Sequence, residues 1–331
     1  MNLYTINNRT ILKILLISKI PPPIGGVTIH VKRLVQKLQE RGDFDVDVLD
    51  YSRLQKPLKF TGKILNAKLV HIHLSNKLFR FLLVLLLKMV NKKIVVTFHG
   101  KYDFQNILDR IALSTSTFSI VLNEFTYVNA VKFSSKVKLI GAFIPPVEKD
   151  VIALDTKIEG NIQYILNRDY RLVFCTNASS YVLDKNGNEI YMGTELLEFF
   201  RSNLNYALIF SDPSGSYTKY FEKEHLEVPE NVYVINCPHD FINIIKLSDS
   251  LIRATTMDGD SLSIKEALYY KKPVLATDCV DRPTGVILFS NIKNLKNKIN
   301  NVVEFNKATS VKDSSFDIIN LYQELLIKQK H

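Results

Sequence analysis

Two doubly wound α/β domains are what this sequence predicts, and three observations predict them. The chain has 331 residues, a length that suits two domains of ordinary size. In each half, short apolar runs of strand length alternate with stretches of helical period. Between the two series stand Pro145-Pro146 and a charged stretch from Glu148 to Glu159. Strands alternating with helices imply a parallel sheet covered on both faces.

The first series opens with Ile11–Ser18, a short apolar run read as a strand. It ends in Pro21-Pro22-Pro23-Ile24-Gly25-Gly26, which must be loop. Thr28–Arg41 reads as a helix with Ile29, Leu34, Val35 and Leu38 on one face and Gly42 as its stop. Strands are expected over Asp45–Asp50, Leu69–His73, Lys93–Phe98, Phe118–Leu122 and Val137–Ile140, and a helix over Lys77–Val90. The second series has strands over Arg171–Cys175, Ala207–Ser211, Val232–Ile235, Ser250–Arg253 and Pro273–Ala276. Gly193–Phe200 and Asp260–Tyr270 read as helices, the latter with Leu262, Ile264, Ala267 and Leu268 facing inward. Phe316–Ile327 is an amphipathic helix carrying Ile318, Ile319, Leu321, Tyr322, Leu325 and Leu326. The expected division is a first domain over 1–148, a linker over 149–168, a second domain over 169–312 and a terminal helix over 313–331. Ligands of such sheets bind outside the carboxyl ends of the strands, so two domains facing each other make a central cleft there.

Composition narrows the class. Hydrophobic residues make up 46% and charged residues 23%, ordinary for a soluble globular protein. The apolar run Phe81–Leu87, flanked by Arg80 and Lys88, falls short of the ~18 residues that cross a bilayer. A buried or interface-facing helix is the better reading. Met1–Thr10 is polar and lacks the apolar core of a signal peptide. The cysteines, Cys175, Cys237 and Cys279, are widely spaced, which argues against a zinc site or a disulfide framework and for a reducing cytoplasm. Charge is uneven: residues 1–150 hold 23 Lys/Arg against 10 Asp/Glu, and the remainder 20 against 23. Such asymmetry points to an anionic partner for the first half. No nucleic-acid-binding pattern is present, and anionic lipid headgroups or a lipid diphosphate fit better.

Several residues stand where chemistry is done. Gly25-Gly26 lies between the first strand and the first helix, as a plain turn or as a close backbone approach to an anion. It is not the Gly-x-Gly-x-x-Gly of a dinucleotide site. His99-Gly100 ends a strand at the carboxyl edge. In the second half Arg253-Ala-Thr-Thr-Met-Asp258-Gly259-Asp260-Ser261-Leu262-Ser263-Ile264-Lys265-Glu266 leads a small polar loop into a helix. A carboxylate accepts bonds from sugar or ribose hydroxyls, and a helix N-terminus faces phosphate. Capping by Asp260 or Ser261, with Glu266 on the surface, is the structural reading of the same residues. Asp258-Gly259-Asp260 and Asp45-Val46-Asp47 each spell Asp-x-Asp, but two acids alone make a thin metal site, and no metal is expected.

This segment resembles the signature of family 4 glycosyltransferases, two acidic residues separated by seven others with a small Gly-containing loop. Lys272 to Asp278 resembles the strand that follows it, and Gly25-Gly26, Val70-His71-Ile72-His73, Val95 to Gly100 and Leu139 to Pro145 all have counterparts in order. Asp-Gly-Asp-Ser, with Arg253 before it and Asp281-Arg282-Pro283 after it, looks like a branch found among bacterial capsule and surface-polysaccharide clusters. The resemblance implies the GT-B architecture and a retaining transferase that needs no metal or other cofactor. The donor would be a UDP- or GDP-sugar, the acceptor a lipid-diphosphate-linked saccharide, and the place the cytoplasmic face of the plasma membrane. It implies that Glu266 holds the ribose and Asp258 the donor sugar hydroxyls. The backbone at Leu262-Ser263 would receive the diphosphate, with His99 by the donor sugar, Gly25-Gly26 by the phosphates and acceptor, and the last helix bracing the first domain. Gly259, Asp260 and Ser261 belong to the same donor-binding loop. Two features depart from the family: Asp258 stands where Glu is usual, and Thr176-Asn177-Ala178-Ser179-Ser180-Tyr181 after Cys175 contains no Arg for the diphosphate. Lys185, or Arg253 and Arg282 from neighbouring loops, are the possible replacements, and Asn177 is counted among the donor-binding residues. The alternatives are an inactive nucleotide-binding or scaffolding subunit and a nucleotide-sugar epimerase.

Overall fold

A computed structural model describes residues 12–21, 24–53, 57–302 and 310–327. The expectations for Met1–Thr10, and for Ile11, Pro22 and Pro23, lie outside the described residues. The chain divides into two compact units, residues 1–144 with 313–331 and residues 145–312.

Among the described residues, the first unit runs β1 (Leu12–Ser18), α1 (Gly26–Arg41), β2 (Phe44–Asp50), α2 (Pro57–Asn66), β3 (Leu69–Ile72) and α3 (Lys77–Met89). It continues with β4 (Lys93–Phe98), α4 (Ile107–Thr115), β5 (Phe118–Val121), α5 (Glu124–Ala130) and β6 (Val137–Leu139). Its sheet is parallel throughout, in the order β2-β1-β3-β4-β5-β6. Right-handed crossovers decide the layers. From β3 to β6 the chain steps in one direction, so α3, α4 and α5 share a face, and α2, spanning β2 to β3, joins them. The step from β1 to β2 runs the other way and puts α1 on the opposite face.

Local chemistry fixes the ends of these helices. Thr28 Oγ1 accepts from the Gly25 N–H at 3.0 Å at the start of α1, and Gly42, left-handed at φ 71°, stops it. Asn76 caps α3 by accepting from the Phe79 N–H at 3.0 Å. The side chains that fill one core come from α2 to α5, with Leu83, Val84, Leu87, Ala112 and Ala130 buried against the sheet. The other core holds Val31, Leu34 and Leu38 of α1 together with Ile318, Ile319, Leu321 and Tyr322. The latter four belong to the chain's last described helix, Ser315–Ile327, which thus completes the first unit.

The second unit begins with a correction. The stretch 149–168, expected to be linker, contains a helix, α6 (Thr156–Leu166). Asp155 caps it, and Ile158, Ile162 and Ile165 are buried, so its charged residues form the outer face of a core element. Then follow β7 (Leu172–Asn177), α7 (Gly193–Arg201), β8 (Tyr206–Ser211), α8 (Ser216–Lys223), β9 (Val232–Ile235) and α9 (Phe241–Leu247). They are followed by β10 (Ser250–Arg253), α10 (Leu262–Tyr269), β11 (Val274–Thr277), β12 (Ile287–Phe289) and α11 (Ile292–Ile299). The helix Ser315–Ile327 is α12. The second sheet is again parallel, in the order β12-β11-β10-β7-β8-β9. Cys175, Cys237 and Cys279 are free thiols. No described helix is long and apolar enough to cross a membrane.

Candidate functional site

Strand register assembles the site of the second unit. Ser250 pairs with Phe174 and Leu251 with Cys175, while Arg253 pairs with Ala276. The carboxyl ends of β7, β10 and β11 therefore lie side by side, and they bring Asn177, Arg253 and Thr277 together. Arg253 Nη1 donates to the Asn177 carbonyl at 3.1 Å. Its Nε and Nη2 each donate to Asp258 at 3.1 Å, a bidentate pair. Arg282, from the loop after β11, reaches back. Its Nη1 donates to Asp258 Oδ2 at 2.7 Å, and its Nε donates to the Thr277 carbonyl at 2.9 Å.

Asp258 is thereby saturated. A carboxylate offers about four acceptor positions. Oδ1 takes Arg253 Nη2 and the Gly259 N–H, the latter at 3.0 Å, and Oδ2 takes Arg253 Nε and Arg282 Nη1. The side chains of Arg253, Asp258 and Arg282 are all more than nine-tenths buried. Burial pushes the Asp258 carboxyl upward, but Arg253 and Arg282 outweigh it and hold its pKa down at about 2. For Arg253, burial works against the charge and Asp258 overrides it, raising the pKa above the ordinary value. Two guanidinium ions share one carboxylate, which leaves a buried group of net positive charge. Tyr191 adds a ring face to Arg253, 5.1 Å from guanidinium to centroid.

This group stands before the N-terminus of α10. Ser261 is the N-cap residue but makes no capping bond, and its hydroxyl lies 3.2 Å from that of Ser263. The capping expected of Ser261 is not realised. Asp260 forms an ion pair with Lys265. Both acids of Asp258-Gly259-Asp260 are thus engaged by cations. The acids of the other Asp-x-Asp lie two apart on β2 and pair too, Asp45 with Lys13 and Asp47 with Lys63. Among the described residues no group of three His, Cys, Asp or Glu could hold a metal ion. Glu266 and Ser263 are buried in α10 alongside Ile264, Ala267 and Leu268, whereas Leu262 is only half-buried. Lys185 is not brought to the group: it is exposed in the turn held by Asp184, which accepts from the N–H groups of Asn186 and Asn188.

The first unit assembles a second cluster, at the carboxyl edges of β3 and β4 on the α1 side. His73 Nδ1 and His99 Nε2 share a hydrogen bond of 2.8 Å. His71 lies between the hydroxyls of Tyr322 and Thr97. His30 on α1 contacts both rings, 5.5 Å from each, and its Nδ1 donates to the Ala142 carbonyl at 2.7 Å. Burial is the largest cause that drives the pKa of His71, His73 and His99 well below the ordinary histidine value. For His99, His30, His71 and the Arg80 guanidinium add to it. His99 is therefore a neutral imidazole at pH 7. Arg80 is itself buried, paired with Asp109 at 2.5 Å. Gly25 and Gly26 face open space: an added Cβ at either would meet nothing within 4 Å.

The burial of His30 and Arg33 was not legible in the sequence. The expected apolar face of α1 included Ile29 and Val35, yet His30 and Arg33 are buried while Ile29 and Val35 are half-buried. The chain carbonyls of Ala142 and Ile144 supply the acceptors that make this burial tolerable. The usable signal was a second histidine-bearing element next to the His71/His73/His99 pattern.

No protein-family model matches the chain, and no curated protein matches it. Solved structures do match. Sucrose-phosphate synthase from Thermosynechococcus elongatus superposes with a TM-score of 0.68 at 14% identity, over 96% of this chain and 100% of the other. HepE from Anabaena, in complex with UDP and glucose, gives 0.63 at 13% identity, over 96% and 99%. The chain has the GT-B fold. The UDP-GlcNAc 2-epimerase from Neisseria meningitidis, bound to UDP-GlcNAc, aligns over 95% of this chain and 100% of its own length, with a TM-score of 0.61 at 16% identity. The GT-B fold thus spans glycosyltransferases and epimerases among these neighbours, and identities this low establish the fold alone.

Proposed function

We propose that this chain is a retaining, metal-independent glycosyltransferase of family 4 type that uses a UDP- or GDP-sugar. The carrying observation is the N-terminus of α10, where Ser261 makes no capping bond, beside the buried, net positive Arg253–Asp258–Arg282 group. Backbone N–H groups and helix dipole favour a diphosphate there, and a fixed positive group nearby adds to that field. Arg253 and Arg282 thus replace, through the field they set, the Arg that the loop after β7 lacks. Glu266, in the second turn of α10, holds the ribose. Because four donors already occupy Asp258, we assign it the positioning of the two arginines rather than the binding of sugar hydroxyls.

In the first unit, neutral His99 faces the donor sugar as a hydrogen-bond partner, and Gly25-Gly26 leaves room for phosphates and acceptor. The bond from the anomeric carbon to the diphosphate oxygen breaks. The acceptor oxygen bonds the same carbon from the same face, and its proton passes to the departing diphosphate. The acceptor is a lipid-diphosphate-linked saccharide of surface polysaccharide synthesis, reached at the inner membrane face.

A panel of nucleotide sugars, assayed for nucleotide release with and without lipid-diphosphate saccharides, tests the reading. Acceptor-dependent release of UDP or GDP, lost in both His99→Ala and Glu266→Ala, is expected. Nucleotide binding without turnover across the panel would instead support a scaffolding subunit, a role that the saturated Asp258 also fits. Release of an altered free sugar without acceptor would support an epimerase.

A further inference from the structure

The first unit's two faces are unlike. On the face formed by α2 to α5, large apolar side chains stand in solvent in a continuous helical stripe: Leu78, Leu82, Leu86 and Met89 of α3 are between 45% and 83% exposed. They recur every three or four positions, on the side of α3 opposite the buried Leu83, Val84 and Leu87. On α5, Phe125 and Val128 are exposed in the same way. On the other face, by contrast, α1 exposes no large hydrophobic residue, and α12 exposes Phe316 alone among its described side chains of that kind. Apolar exposure on this scale, gathered on one face, marks an interaction surface.

Charge says what covers it. Residues 57–138, which run from α2 to β6, hold thirteen Lys/Arg and three Asp/Glu; two of these cations are paired with acids outside the stretch, Lys63 with Asp47 and Lys138 with Glu324. Of the three acids, Asp109 is buried against Arg80. The stripe itself is bracketed by exposed Lys77 and Lys88, and Lys101 lies 4.4 Å from the centre of the Phe125 ring. An apolar stripe framed by lysines, with few acids to oppose them, matches a bilayer interface with anionic headgroups: side chains enter the acyl boundary while lysines stay at the phosphates.

We propose that the α3–α5 face seats the first unit on an anionic lipid surface, with Leu78, Leu82, Leu86 and Met89 inserted and Lys77 and Lys88 at the headgroups. The surface is separate from the residues assigned to sugar transfer, so lipid binding and nucleotide binding succeed or fail independently.

The test is co-sedimentation of the full chain with phosphatidylglycerol-rich and with pure phosphatidylcholine vesicles, at low and at physiological salt. Binding to the anionic vesicles that weakens with salt is expected. Lys77→Glu with Lys88→Glu replaces two surface cations by anions and should weaken it about tenfold or more. Leu82→Gln with Leu86→Gln should weaken it comparably, and because all four positions are exposed the thermal midpoint should stay unchanged. Three results would overturn the proposal. The first is no sedimentation with anionic vesicles at low salt. The second is binding indifferent to both pairs of changes. The third is a homodimer in sedimentation equilibrium that the leucine changes dissolve, which would make the face an interface between copies.

Discussion

Arg253 and Asp258, five residues apart at the end of β10, meet through two parallel hydrogen bonds of 3.1 Å, and Arg282 closes the group from a third direction. This arrangement changes what a carboxylate at this position does. A side chain one methylene longer would reach further from the chain, whereas Asp258 sits back between two cations. If Asp258 organises the arginines, removing its charge strands two buried guanidinium groups. Asp258→Asn is then expected to destabilise the second unit by roughly 3–5 kcal/mol. A drop in thermal midpoint measured by calorimetry checks this. A fully stable Asp258→Asn that merely loses turnover would return the residue to the role of sugar ligand.

The same pair carries a pH signature. Asp258 has a folded pKa of about 2, below its unfolded value, so its contribution is complete above the unfolded pKa and is lost as pH falls toward 2. At 1.36 kcal/mol per pKa unit the contribution is about 2 kcal/mol. Acid titration of stability should show this loss below the ordinary Asp range.

The histidines act at milder acidity. His71 and His73 are buried and His99 is half-buried, and all three are neutral, with folded pKa values well under that of an unfolded histidine. The unfolded chain binds protons that the folded chain refuses, so stability is complete above about pH 6.5 and falls below it. The slope is up to about 1.4 kcal/mol per pH unit for each histidine. Denaturant unfolding of the first unit at pH 7.5 and 5.5 would measure this. A midpoint that does not move would show that these rings protonate as freely in the folded state as out of it.

His73 fixes how His99 presents itself. The 2.8 Å bond from His73 Nδ1 occupies His99 Nε2 and selects the ring's tautomer. Among the described residues His73 Nε2 has no hydrogen-bond partner, so the Nδ1 bond is the one to preserve. Asn places an amide near Nδ1, whereas Leu supplies none. His73→Asn should keep most of the donor turnover, and His73→Leu should lower kcat about 10–100-fold with KM little changed, as loss of a positioning bond does. Equal activity in the two variants would remove His73 from the account.

Much of the fold was legible because its signals are local. Val95-Val96-Thr97-Phe98 is strand in any context, and Gly42 stops α1 through its own φ of 71°. The loop before α10 and Glu266 drew attention through a resemblance to a family signature, and the structure adds that Glu266 is buried in α10. What escaped was non-local. The bond of Tyr322 to His71 joins residues 251 apart in sequence. The saturation of Asp258 depends on Arg282, 24 residues later. The stretch read as linker misled because the charges of α6 mask a buried Ile158–Ile162–Ile165 stripe.

The most direct test is calorimetric titration of the full chain with UDP and with GDP, alongside Glu266→Gln, a change that keeps the buried volume. Saturable binding of one nucleotide is expected, weakened in the variant by about tenfold or more, the worth of a hydrogen bond to a charged group. Binding of neither nucleotide, or binding that Glu266→Gln leaves untouched, would contradict a ribose held by α10 and with it the proposed site.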